Sequence, residues 1–254
     1  MAGGHVHALY RHGTSPLHRL APHVKIVAAV AFVAAVVATP REAVWAFVAY
    51  AITLLALATW ARLGAGFVAR RMLIGVPFIV AAMFLPFLGD APTTDVLGVS
   101  VSVEGLWGLW NIVAKASLGL LTSIVLAGTT QIPEMLRGLT SLRVPHVVTT
   151  IIGFMVRYLD VVLGDLRRQR IAMMSRGHTA MWLGQVKPFA QSVGTTFVRS
   201  YERGERVYLA MASRGYDGHM PATPRDHAGA GSWAAGLMVP AAAWATALTA
   251  SIAT

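Results

Sequence analysis

Five stretches of this 254-residue chain, residues 20–39, 43–61, 72–89, 107–128 and 233–253, run with at most one charged side chain each. Each is close to the ~20 residues that a helix needs to cross a bilayer. Hydrocarbon offers backbone N–H and C=O groups no water to bond, so a continuous apolar segment of that length is held as a helix. The expected fold is therefore an all-α integral membrane protein with about five transmembrane helices. Composition agrees, since only 13% of residues are charged, against about 25% in soluble domains. Pro77 and Pro86 are expected to bend or shorten the third span. The first 23 residues are polar and histidine-containing, without the basic start, short apolar core and cleavage site of an export signal. Cysteine is absent, which excludes disulfides, thiolate metal ligands and thiol nucleophiles.

The connections set the direction. With the N-terminus inside, residues 1–25, 62–71 and 129–231 are cytoplasmic and hold 19 of the 21 Lys and Arg. The outer loop 90–104 has three acids and no base. This obeys the positive-inside rule, which also explains the net charge of +10 without any nucleic acid. The expected division is residues 1–128 for the N-terminal tail and four transmembrane helices, 129–231 for a cytoplasmic region, and 232–254 for the last transmembrane helix. The stretch from Pro145 to Leu163 is apolar, but Arg157 and Asp160 leave only the ten residues from Val147 to Val156 uncharged. A run that short is expected to be interfacial or buried rather than spanning.

The cytoplasmic region reads as amphipathic helices. Pro133 and Glu134 suit the first turn of one, proline at N1 and a carboxylate at the positive end of the dipole. Leu136, Leu139 and Leu142 then mark its apolar face, with Arg137 and Arg143 off it. A longer helix runs from Pro145 to Arg176. After a loop around Gly184 and Pro188, another runs from about Thr196 to Arg214, with Phe197, Tyr201, Tyr208 and Met211 on one face. Glu202 and Arg206 are spaced to pair across one turn.

Both long helices close on the same signature. Ser175-Arg176-Gly177 and Ser213-Arg214-Gly215 follow similar Ala- and Met-containing turns, their arginines 38 residues apart. Taken singly, each is an ordinary helix stop: glycine supplies the left-handed C′ position and arginine meets the negative end of the dipole. The repetition points further. Two like guanidiniums, permanently charged and able to make forked bonds to carboxylates, suit docking on two copies of one partner or on two like sites of a dimer.

These residues resemble the transmembrane T component of energy-coupling-factor (ECF) transporters, closest to its cobalt branch, the CbiQ type. The likeness rests on the paired Arg-Gly endings, the tail Tyr216-Asp217-Gly218, the run from Thr129 to Glu134 followed by Leu142-Arg143-Val144-Pro145, and the N-terminal run from Ser15 to Lys25. Serine replaces the usual alanine before each arginine, and His23 stands where arginine is usual.

The resemblance implies a non-catalytic coupling subunit of an ABC-type importer. Two ATPase subunits would receive Ser175, Arg176, Gly177, Ser213, Arg214 and Gly215. A membrane-embedded substrate-binding S component would meet Tyr158, Phe197, Tyr201, Tyr208 and Met211. It further implies cobalt uptake, serving cobalamin supply, in a bacterial cytoplasmic (inner) membrane, with the N-terminus inside and the C-terminus outside. No cofactor, resident metal or nucleic acid is expected.

The sequence itself carries no phosphate loop, no His-Glu-x-x-His and no Gly-x-Ser-x-Gly, so ATPase activity is expected on separate chains. Alternatives are a T component for nickel or a vitamin, or a membrane-bound transferase acting on anionic lipid-linked substrates. The transferase would want clustered acids, and the cytoplasmic acids form no Asp-x-x-Asp. A channel or lone carrier would want polar residues in the spans and a repeated helix set, and neither is visible.

His5, His7, His12, His18 and His23 crowd the N-terminus in spacings that fit no closed metal site, and a solvated or interfacial tail is expected. Lys115 is read either as an intramembrane cation with a carbonyl or acidic partner, or as a residue near the outer interface of a span that starts at Ile112.

Overall fold

The computed structural model describes residues 10, 11, 13, 15–88, 93–96, 99–177, 186–218 and 228–253. Its helices are α1 (Pro16–Arg19), α2 (Pro22–Ala38), α3 (Val44–Trp60), α4 (Ala65–Met72), α5 (Val76–Ala82), α6 (Leu85–Leu88), α7 (Val103–Thr129), α8 (Ile132–Ser141), α9 (His146–Ser175), α10 (Val186–Ala212) and α11 (Ala230–Ala253). The chain divides into two compact units. One holds α1 to α8 with α11; the other holds α9 and α10.

The expected apolar stretches are helical, with informative differences. The third is broken. Pro77 sits in the first turn of α5, Pro86 lies in the short α6, and a 3-10 turn at Leu73–Gly75 joins α4 to α5. Proline cannot donate the backbone bond that a continuous helix requires. α7 begins at Val103, earlier than either expectation for Lys115 supposed. Ser102 caps it, accepting from the Gly105 N–H at 3.3 Å. Before it, residues expected only as an outer loop form an antiparallel strand pair, β1 (Thr93–Val96) with β2 (Val99–Ser102).

By length and composition, residues 65–87, 103–129, 146–175 and 230–252 are each long and apolar enough to cross a membrane. α2 and α3, at 17 residues each, span about 25 Å and sit at the short end of that range. The helix at 146–175 meets the length requirement because Arg157 and Asp160 do not interrupt it. The protein is thus a multi-pass helical membrane protein.

In the first unit α2 is central, packed against α7, α8 and α11, while α7 also contacts α3, α4, α5 and α6. Phe32, Val36, Phe47, Tyr50, Leu54, Leu118 and Leu121 fill the core. Two lysines tie α2 to α7 from opposite ends. The buried Lys25 Nζ donates to the Thr129 carbonyl at 3.0 Å, to Thr130 Oγ1 at 3.2 Å and to the His18 carbonyl at 3.2 Å. Lys115 Nζ donates to the Val37 carbonyl at 2.9 Å, so this cation has a carbonyl partner and lies well inside α7. Each ammonium meets the negative end of the neighbouring helix.

Tyr50 carries the main polar bond of the core. Its hydroxyl donates to the Ala243 carbonyl at 3.0 Å and lies 3.1 Å from Thr39 Oγ1 and 2.8 Å from Thr246 Oγ1. Tyr50→Phe keeps the edge-on ring contacts with Phe32 and Phe47 and removes only the hydroxyl. The expected loss is about 0.5–1.5 kcal/mol, the net contribution of such a bond, since Thr39 Oγ1 keeps its bond to the Ala35 carbonyl and Thr246 Oγ1 its bond to the Ala243 carbonyl. Thermal unfolding in detergent measures it, and an unchanged midpoint would show that these bonds contribute nothing.

Candidate functional site

The α8 helix starts as its residues require. Proline stands in its first turn, and Glu134 Oε2 accepts from the Gln131 N–H at 3.3 Å, satisfying a donor that the helix start leaves free. Arg137 and Arg143 are exposed, and Leu136, Leu139 and Leu142 are half-buried. Buried Gly138 lets α8 approach α2: a Cβ there would stand 3.0 Å from the His23 backbone nitrogen. Arg143 adopts φ +62° in the turn that follows.

The second unit holds the Ser-Arg-Gly endings, and they are built alike. In the first, the Arg176 N–H bonds to the Met173 carbonyl at 3.1 Å and the Gly177 N–H to the Met174 carbonyl at 3.0 Å. In the second, the Arg214 N–H bonds to the Met211 carbonyl and the Gly215 N–H to the Ala212 carbonyl, both at 3.0 Å. Gly177 has φ +77° and Gly215 φ +84°. A Cβ at either would meet nothing within 4 Å, so backbone conformation rather than space calls for glycine. Ser175 and Ser213 turn their hydroxyls back on their own helices, to the Ala172 carbonyl at 2.9 Å and the Ala210 carbonyl at 3.1 Å. That leaves the arginines as the outward-reaching groups. Arg176 and Arg214 are exposed, as are the serines and glycines beside them.

α9 and α10 are joined by a polar crossing that the sequence pattern did not single out. Arg203 Nη2 donates to Asp165 Oδ2 at 3.1 Å, and Arg168 binds the other oxygen of the same carboxylate. One turn on, Gln169 Nε2 donates to Thr196 Oγ1 at 3.1 Å, and the Ser192 hydroxyl donates to Gln169 Oε1. The partners run in opposite directions along the two helices, so the helices cross in an antiparallel sense. Arg176 and Arg214 therefore lie on opposite sides of the crossing. The signal was present in the spacing: Asp165 with Gln169, and Ser192 with Thr196 and Arg203, each fall on one helical stripe. The expected Glu202–Arg206 pair forms at 4.0 Å.

α10 begins at Val186, ten residues before the expected start at Thr196. Pro188 falls in its first turn, where proline is tolerated. Gly184 lies outside the described residues. Phe197, Tyr201 and Tyr208 are strongly exposed, and Met211 is half-buried. Tyr158 is half-buried on α9 and stacks on Phe154 with ring centroids 6.3 Å apart.

Of the N-terminal histidines, His5, His7 and His12 lie outside the described residues. His18 Nδ1 is 2.7 Å from Ser15 Oγ, and buried His23 lies against Trp233 with ring centroids 5.5 Å apart. Among the described residues no group of three or more His, Asp or Glu could hold a metal ion.

The fold and the site define a multi-pass helical membrane protein that presents two like arginine endings on crossed helices. The chain is a member of the CbiQ family of cobalt transport proteins, which matches residues 13–224. It is 25% identical over 164 residues to an uncharacterized protein of Methanocaldococcus jannaschii, covering 59% of this chain and 55% of that one. It is 27% identical over 109 residues to a protein of Methanocorpusculum labreanum named as a fused cobalt transport protein CbiMQ, covering 43% of this chain and 18% of the relative. A second uncharacterized M. jannaschii protein is 28% identical over 100 residues, covering 39% of this chain and 37% of its own length. The chain thus spans about half the length of the first of these relatives and a smaller share of the other two.

Proposed function

We propose that this chain is the transmembrane coupling subunit of an ECF-type importer, transmitting the motions of two ATPase subunits to a membrane-embedded S component, with cobalt as the transported substrate. The observation that carries the reading is the pair of matched, exposed Ser-Arg-Gly endings. Each presents one guanidinium on a rigid helix end with its serine hydroxyl turned inward, which suits repeated docking on two like partners. The membrane-side partner is assigned to the aromatic surface of Phe197, Tyr201 and Tyr208 together with Tyr158 and Met211. The chain does no chemistry of its own in this scheme. Membership in a cobalt transport family supports cobalt over nickel or a vitamin.

The test is reconstitution. Co-expression with tagged ATPase subunits and an S component from the same organism should yield one complex, and vesicles holding it should take up cobalt only when ATP is supplied. A chain that never co-purifies with ATPase, or uptake that proceeds without it, refutes the reading.

The proposed orientation has its own check. Reporter fusions after Gly218 and after Thr254 should lie on opposite faces of the membrane, the first inside. The same face for both would overturn the assignment drawn from the basic loops.

A further inference from the structure

The crossing of α9 and α10 holds more polar groups than two packed amphipathic helices require. Thr196 is 7% exposed, and its hydroxyl lies between the amide of Gln169 and its own helix, donating to the Ser192 carbonyl at 2.9 Å. Asp165 keeps 13% of its side chain exposed and holds both Arg168 and Arg203. Arg203 Nη1 is buried without a partner among the described residues. The neighbouring faces of both helices stay open: Met155, Leu159, Phe197 and Tyr201 are each more than 40% exposed. Apolar contact alone therefore holds these helices weakly, and the polar cluster fixes where they cross.

We infer that Asp165, Gln169, Ser192, Thr196 and Arg203 form a positioning lock that sets the spacing of the two Arg-Gly ends and makes them move as one body. The crossing has two contacts, Asp165 with Arg203 and Gln169 with Thr196. At the helical rise they leave arms of about 9–15 Å to Ser175 and about 14–24 Å to Ala212, on opposite sides of the crossing. A rotation about either contact alone would displace both tips, and holding two contacts at once prevents it. Directional polar bonds resist such rotation, because they weaken steeply once their angles are lost. The inference rests on the proposed coupling role only for its effect on transport; the lock itself is a property of this chain.

The chain has no cysteine, so spin labels can be placed without removing any residue that reacts. Labels at Ser175→Cys and Ser213→Cys in the full-length chain, in lipid nanodiscs without ATPase, should give one narrow distance distribution. Arg203→Asp sets two carboxylates face to face, and Gln169→Leu removes the other half of the cluster. Each should broaden the distribution at least twofold. The exchange of Asp165→Arg with Arg203→Asp should narrow it again, which a merely disrupted core would not do. In unlabelled complexes each single change should cut transport severalfold, and the exchange should recover most of it. If Arg203→Asp fails to fold, Asp165→Asn with Gln169→Leu serves in its place and should broaden the distribution in the same way. Unchanged widths in the folded variants, or an exchange as broad as the single changes, overturns the lock. Broadened widths with undiminished transport would leave the lock standing and count against the coupling role.

Discussion

Replacing both Arg176 and Arg214 by alanine should release the ATPase subunits almost wholly, while the chain still inserts and folds. In the proposed coupling role each guanidinium would make a charge-assisted contact with an ATPase subunit, contributing about 1.5–3 kcal/mol where water is excluded. That is roughly tenfold or more in affinity for each single change. Two contacts on one rigid body reinforce each other through effective concentration, so the double change should exceed either alone by far. Folding should survive because both side chains are exposed and neither helix end depends on them for its backbone bonds. Arg170 and Arg199, exposed on the same two helices, are controls of equal charge. ATPase recovered with each tagged variant decides the matter. Full recovery with the double variant, or equal loss with the controls, would reduce the Arg-Gly ends to plain helix stops.

Gly105→Ala should be strongly destabilising in the first unit. A Cβ at this position would lie 2.6 Å from the Leu85 carbonyl oxygen and 2.7 Å from Pro86 Cα. Both are backbone atoms, which cannot swing aside as a side chain can, so α6 must move bodily away from α7. Overpacking of this kind costs about 1–3 kcal/mol, and more where backbone is displaced. Gly119 on the same helix is the contrast, because a Cβ there meets nothing within 4 Å. Gly119→Ala should be neutral or slightly stabilising, since glycine inside a helix is the weaker choice by roughly 0.5–1 kcal/mol. Unfolding midpoints of the two variants in one detergent compare them directly. Equal midpoints would mean that α6 and α7 do not approach as described.

The parts of this protein that follow from local chemistry are legible in its amino-acid sequence. Uncharged runs of bilayer length, the proline breaks in the third stretch, the start of α8 at Pro133 and Glu134, and the glycine stops at Gly177 and Gly215 each depend on neighbours within a few residues. What stays hidden depends on residues far apart. Lys115 reads as an unexplained cation because its partner, the Val37 carbonyl, is 78 residues away. Asp165 and Gln169 read as part of a polar run because Arg203 and Thr196 belong to the next helix. The early start of α10 is masked by Pro188, which reads as a break unless its place in a first turn is known. The strand pair ahead of α7 is hidden in a segment that reads in sequence only as an acidic loop.

The lysine pins at either end of α2, one meeting the end of α7 and the other its middle, govern how this part of the molecule can deform. The two helices run antiparallel, and each pin joins a side chain of one to the terminal carbonyls of the other. Sliding one helix along its neighbour by a single turn, about 5.4 Å, would carry both carbonyls out of the positions their lysines now hold. The pair consequently behaves as a strut of fixed register. Any motion passing through this unit has to tilt or carry this strut whole, together with the α4, α5 and α6 segments packed on α7.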